Sequence, residues 1–206
     1  MRLWDIVRLT GRRGGLNHHP ANGCRLSDRN PMNAVYDIPV IETRRLILRQ
    51  WRMDDADALY KYASDPKVSK LALWPSHSSV DMSRWVIETV FLPNPRSFAI
   101  VLKSTGEAIG CIGLVPAGDE HYTVGFNERE VGYWVGYPYW RKGLTSEALD
   151  ALVGYMRESG EVSSLLITAD STNTGSHRVA EKCGFELIDE YSYCNIPSKA
   201  FRLKLV

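Results

Sequence analysis

The stretch from Glu130 to Leu149, E-V-G-Y-W-V-G-Y-P-Y-W-R-K-G-L-T-S-E-A-L, restricts the possible folds of this chain more than any other segment. Its first half is rich in β-formers (Val131, Tyr133, Trp134, Val135). Its second half sets Leu144, Ala148 and Leu149 at helical spacing, continued by Leu152 and Tyr155. A strand therefore feeds a helix. The connection from Gly136 to Gly143 carries a proline, two glycines and the cations Arg141 and Lys142, and no acid stands between Glu130 and Glu147. The first turn of a helix offers backbone N–H groups without intrahelical partners and a partial positive charge. A basic, glycine-containing entry of this kind suits a phosphate group, and Arg141 to Ser146 reads as an anion cradle.

Spacing excludes two familiar cradles. A Walker-type loop requires G-x-x-x-x-G-K-[ST], whereas Gly136 and Gly143 are seven apart and leucine follows the second; the dinucleotide pattern G-x-G-x-x-G is absent. The run Trp140-Arg141-Lys142-Gly143-Leu144-Thr145 instead resembles the acyl-CoA pyrophosphate loop of the GNAT N-acetyltransferase superfamily, [Q/R]-x-x-G-x-[G/A]. Glu-Val-Gly-Tyr-Trp-Val followed by Tyr-Trp-x-Lys-Gly-x-x-Ser-Glu-Ala is similar to the branch that acetylates N-termini of ribosomal proteins and to its aminoglycoside-acetylating relatives. The likeness runs from about Ile41 to Val206. Two positions depart from it, with Trp140 in place of Gln or Arg and Thr145 in place of Gly or Ala. The Thr145 hydroxyl either adds a hydrogen bond to phosphate or crowds it.

The resemblance implies a mixed α/β fold with a mostly antiparallel central sheet of about 6–7 strands and about four helices. It also implies an acetyl-CoA-dependent N-acetyltransferase that works by direct attack of an amine in a ternary complex, with no acyl-enzyme. Cofactor contacts would come from Trp134, Val135 and Gly136, where the strand ends, and from Arg141, Lys142, Gly143, Leu144, Thr145 and Ser146, with Asn173 holding the pantetheine arm. Glu130 stands where several members carry their general base, and Ser176 where a hydroxyl protonates the leaving thiolate. A backbone N–H near Val135 would stabilise the oxyanion. The acceptor class decides how hard the base works. A lysine amine with pKa ~10.4 is neutral in roughly one molecule per few thousand at pH 7, an α-amine near ~8 in about one in ten.

Each of these residues also has a plainer reading. Glu130 is equally a sheet-edge carboxylate paired with an arginine such as Arg129. Asn173-Thr174-Gly175-Ser176 is a good N-cap sequence in its own right, and capping is compatible with catalysis. His177 reads as a solvated helix residue and His121 as part of a polar loop. Trp51, Tyr60, Trp74 and Trp85 either line an acceptor groove or fill the core. At the level of function, the alternative is a non-catalytic acyl-CoA-binding module of the same fold.

Bulk properties bound the remaining possibilities. With 206 residues, 44% hydrophobic and 24% charged, the chain suits one domain plus a tail, and a net charge of +1 gives no support for nucleic-acid or membrane binding. Four scattered cysteines (Cys24, Cys111, Cys183, Cys194) and isolated histidines suggest free thiols in a cytoplasmic protein, without a metal. Either a monomer or a homodimer is compatible with the sequence. Residues 1–39 are interrupted by glycine and proline and read as a disordered extension, with Met32 as an alternative start; 40–206 read as the transferase domain. In order, Arg45 to Gln50 reads as a strand and Ala56 to Ala63 as a helix broken by Asp65-Pro66. A loop covers Lys67 to His77, and a second helix is capped at Ser78. Strands follow at Ser97 to Leu102 and Ala108 to Val115, then the central strand and helix. Ser164 to Ala169, a short helix from Ser176, and strands near Phe185 to Tyr193 and Ala200 to Leu205 complete the order.

Overall fold

The computed structural model describes residues 38–72 and 74–206, so the expectations for the tail and for Met32 lie outside the described residues. Eight strands form one sheet in the order β1-β2-β3-β4-β5-β6-β8-β7. They are β1 (Ile41–Glu42), β2 (Leu46–Gln50), β3 (Ser97–Leu102), β4 (Glu107–Leu114), β5 (Glu128–Val135), β6 (Ser164–Asp170), β7 (Glu186–Tyr193) and β8 (Ile196–Lys204). Every neighbouring pair is antiparallel except β5 with β6. The expected 6–7 strands become eight because the two residues of β1 fold back on β2, pairing Ile41 with Leu48.

Five α-helices are present among the described residues: α1 (Ala56–Ala63), α2 (Pro66–Leu71), α3 (Val80–Val86), α4 (Leu144–Ser159) and α5 (Thr174–Lys182). The additional one is α2, in the segment read as a loop. Pro66 does end α1, but it also serves as the first residue of α2, where its missing N–H costs nothing, and the Asp65 side chain caps Lys67 N. The cap of α3 lies one residue later than expected, with Ser79 Oγ accepting from Met82 N at 3.1 Å.

Strand alternation divides the core between two faces of the sheet. In β3, Phe98 and Ile100 join Leu46, Leu48, Leu149, Leu152 and Met156 on the side covered by α4. Ala99 and Val101 join Trp51, Leu59, Ala63 and Ile87 on the side covered by α1 and α3. Strand β5 thus lies inside a three-layer structure and not at an edge. The outer edge is β7, whose Leu187 and Ile188 are exposed.

Candidate active site

Strands β5 and β6 pair only over Glu128–Glu130 against Ser164–Leu166. Beyond that point β5 stays with β4 as far as Val135, and β6 stays with β8 as far as Asp170. The two strands follow different neighbours and part, which opens a wedge in the sheet. Glu130 O accepts from Val115 N at 2.8 Å and Gly136 N donates to Ile109 O at 2.8 Å, so these peptide groups face β4. By alternation the peptide groups of Val131, Tyr133 and Val135 face the wedge. A linear ligand with amide groups can pair with them as a substitute strand.

Past the wedge the chain leaving β5 turns into the N-terminus of α4. Gly143 is its N-cap, in the left-handed region at φ 71, and makes no side-chain cap hydrogen bond, so the first-turn N–H groups stay open to an anion. A Cβ built on Gly143 would lie 3.7 Å from Arg45 Nη2 and 3.9 Å from Lys182 Nζ. Two cations, Arg45 just before β2 and Lys182 at the end of α5, therefore flank the helix entry, a pairing that no local pattern announces. Arg45 is fixed there because its Nε donates to Glu147 Oε2 at 2.6 Å and its Nη1 to Lys142 O at 3.0 Å. Arg45, Gly143, Glu147 and Lys182 border a hollow of about 480 Å³ that also includes Glu42, Thr43, Ser146 and Asp150. Uncapped N–H groups, an αL glycine and paired cations fit a pyrophosphate.

The expected loop residues divide by what they present. Arg141, at φ 60, and Lys142 are exposed, Thr145 is half-buried, and Leu144 is buried in the core, so Leu144 can serve a ligand only through its backbone. Ser146 is buried and its carbonyl accepts from Cys183 Sγ. Trp140, one of the two departures, donates from Nε1 to Val135 O at 2.9 Å and ties the loop to the end of β5. Gly136 has a packing reason, since a Cβ there would lie 2.4 Å from the Tyr62 ring. Trp134 stacks edge-on against Trp74 on the α1/α3 side, with ring centroids 5.7 Å apart. Trp51 is core, stacked on Phe91, whereas Tyr60, Trp74 and Trp85 are half-buried.

At the far side of the wedge, Asn173 Oδ1 accepts from Ser176 N at 3.1 Å, so it does cap α5. The Ser176 hydroxyl lies 2.9 Å from the Tyr133 hydroxyl, which also donates to Ser176 O at 3.2 Å. Burial drives the Tyr133 pKa far above its usual 10.0, so this phenol keeps its proton. Tyr133 was not singled out in the sequence because its alternation reads as packing. His177 is buried against Phe201, its Nε2 3.1 Å from Asp170 O, contrary to the solvated reading; burial lowers its pKa.

At the apex of the wedge sits Glu130, 2% exposed. Its partner is not Arg129, whose guanidinium donates to Val115 O at 2.7 Å. Glu130 Oε1 accepts from Thr168 Oγ1 at 2.6 Å and from His121 Nδ1 at 2.9 Å, and Oε2 accepts from His121 N at 2.6 Å. His121 reaches it from a loop nine positions earlier, and no periodic signal links the two. Among the described residues no cluster of three or more His, Cys, Asp or Glu could hold a metal, and no helix is long and apolar enough to cross a membrane.

Known proteins share the sequence pattern and the fold of this chain. The acetyltransferase (GNAT) domain family matches residues 45–186. An N-acetyltransferase named p20 from Bacillus licheniformis, itself uncharacterized, is 30% identical over 70% of this chain and 80% of its own length. Among solved structures, a Vibrio cholerae protein assigned as a ribosomal-protein-serine acetyltransferase superposes with TM-score 0.64 at 27% identity, covering 80% of this chain and 97% of that one. RimL, a ribosomal L7/L12 α-N-protein acetyltransferase solved with coenzyme A, shares the fold with TM-score 0.62 at 16% identity, over 81% of this chain and 98% of that one. With the family match spanning most of the chain and the wedge and cradle in place, this protein belongs to the GNAT acetyltransferases.

Proposed function

We propose that the protein transfers acetyl from acetyl-CoA to a primary amine, by direct attack within a ternary complex. The observation that carries this reading is the parting of β5 from β6 beyond Glu130, on the strand whose chain continues into the uncapped, cation-flanked entry of α4. Acetyl-CoA supplies an acyl group activated as a thioester. The wedge-facing peptide groups of Val131, Tyr133 and Val135 would align the pantetheine arm, joined by the Asn173 amide, while the α4 entry with Arg141, Lys142, Arg45 and Lys182 would hold the pyrophosphate. A wedge-facing N–H near Val135 offers the oxyanion donor. The Ser176–Tyr133 hydroxyl pair supports a proton donor for the leaving sulfur, since two protonated hydroxyls in contact can pass a proton along and be resupplied. The free thiols Cys111, Cys183 and Cys194 suit a reducing cytoplasm.

A screen of thiol release from acetyl-CoA across peptides with free N-termini, polyamines and aminoglycosides tests the reading and finds the acceptor. Turnover with at least one amine class, with the acetylated product seen by mass spectrometry, is the expected result. Tight CoA binding by calorimetry with no transfer to any amine would leave a binding module and overturn it.

A further inference from the structure

We propose that His121, not Glu130, takes the proton from the incoming ammonium group, with Glu130 and Thr168 positioning its ring. This deepens the acetyl-transfer reading and rests on it.

Glu130 is poorly placed to touch a substrate. Three hydrogen bonds occupy both of its oxygens, and its side chain is only 3% accessible. His121, by contrast, keeps 29% of its side chain accessible. Its Nδ1–H donates to a carboxylate, which fixes the tautomer and leaves Nε2 as the basic nitrogen; Nε2 has no hydrogen-bond partner among the described residues. The ring is steadied edge-on by Tyr193, with centroids 4.9 Å apart. The ring is bonded to Glu130, the last residue of β5 that pairs with β6, so His121 is anchored where the two strands part.

The charges around the ring suit the task. Glu130 on β5 and Asp119 and Glu120 on its own loop are the acids acting on it, and Tyr191 and Tyr193 of β7 are the titratable groups on the remaining side, Tyr191 pushed up to about 12 by burial. Burial works to lower the His121 pKa, but the bond to Glu130 and the three negative charges outweigh it and hold the pKa above 6.5. The same acids attract a cationic amine.

The proton count closes. The ammonium nitrogen gives one proton to His121 Nε2 and becomes nucleophilic; His121 later releases that proton to water. The neutral nitrogen then forms the N–C bond to the acetyl carbon while the C–S bond breaks. The nitrogen's second proton replaces the one that Ser176 delivers to the sulfur. Ammonium and thioester become amide, thiol and one solvent proton.

Two variants and one spectroscopic measurement test the assignment. His121→Asn keeps an N–H toward Glu130 but has no basic nitrogen. With a free-N-terminus peptide at pH 7 it is expected to lose about 100-fold or more in kcat/KM, with CoA affinity by calorimetry within about twofold. The loss should shrink as pH approaches the amine's own pKa near ~8. Glu130→Gln removes the charge and should move both the acid limb of the rate profile and the NMR titration of His121, read without CoA, to lower pH together. Should His121→Asn unfold, His121→Gly with added imidazole gives the same answer, recovery of rate being expected. A His121→Asn enzyme within about threefold of wild type overturns the assignment while leaving acetyl transfer intact. So does a Glu130→Gln enzyme whose rate falls at every pH while the His121 titration stays in place. A wild-type protein that acetylates no amine overturns the parent reading as well.

Discussion

At Gly143 the backbone sits at φ 71, a region that an L-residue enters at a cost of roughly 1–2 kcal/mol, and a side chain there would project between Arg45 and Lys182. Gly143→Val should therefore lose CoA binding in calorimetry. The control is Gly160→Val, with φ 63 and nothing within 4 Å of its Cβ position, which carries similar strain at the opposite end of α4 and should bind CoA as wild type does. A second prediction concerns the hydroxyl pair. Ser176→Ala should lower kcat roughly ten- to a thousand-fold with little change in CoA affinity. If Tyr133 resupplies the proton, Tyr133→Phe should do the same, and the double variant should be little worse than either single one, because both act on one transfer. Additive losses would mean that the two hydroxyls have separate roles.

The elements are held in register by one carboxylate. Glu147, in the first turn of α4, accepts from Thr43 Oγ1 at 2.6 Å, Arg45 N at 2.8 Å and Arg45 Nε at 2.6 Å, so the β1–β2 corner is pinned to the helix that forms the cradle. An acid in the first helical turn also complements the helix dipole. Burial alone would raise the Glu147 pKa, but the bonds from Thr43 and Arg45 prevail and hold it below 4.5. The folded pKa is the depressed one, so the stabilisation is complete above pH about 4.5 and fades as pH falls through the folded value. Glu147→Gln should cost about 1–3 kcal/mol in urea melts at pH 7, and the gap to wild type should narrow in melts taken below pH 4.5. A gap independent of pH would mean that packing, not charge, ties the corner to the helix. CoA affinity should fall as well, because Arg45 loses its anchor beside Gly143.

Across the described residues, the most buried strands and the candidate site occupy different parts of one sheet. Strand β3 is buried on both faces, between α4 on one side and α1 with α3 on the other, whereas β7 is a largely exposed edge. Native-state hydrogen exchange should show the slowest amides in β3 and β4 and the fastest strand amides on the outer edge of β7. Adding CoA should slow exchange at Val131, Tyr133 and Val135, whose peptide groups face the wedge, while Glu130 and Gly136, which face β4, change little. Equal slowing on both sides of β5 would argue for general tightening instead of a ligand seated in the wedge.

The sequence alone was sufficient wherever the determinants lie side by side. The strand-to-helix switch at Gly136 to Gly143, the hairpin of β3 and β4, the break at Pro66 and the N-cap at Asn173 depend on propensity, periodicity and capping within a few residues, and those preferences act whatever the rest of the chain does. The additional helix α2 was hidden because its six residues are too few for a period to show. The wedge was hidden for another reason. Where β5 leaves β6 depends on each strand's other neighbour, β4 or β8, and on the insertion of β8 inside β7. The same holds for Arg45 and Lys182 at the cradle, and for His121 and Thr168 on Glu130. Each comes from a separate element, and electrostatic and hydrogen-bonding preferences name a kind of partner without naming a place in the chain. Local chemistry marked the strand-to-helix turn as a candidate anion site; only the packing of distant strands decided which charges meet there and which partners Glu130 has.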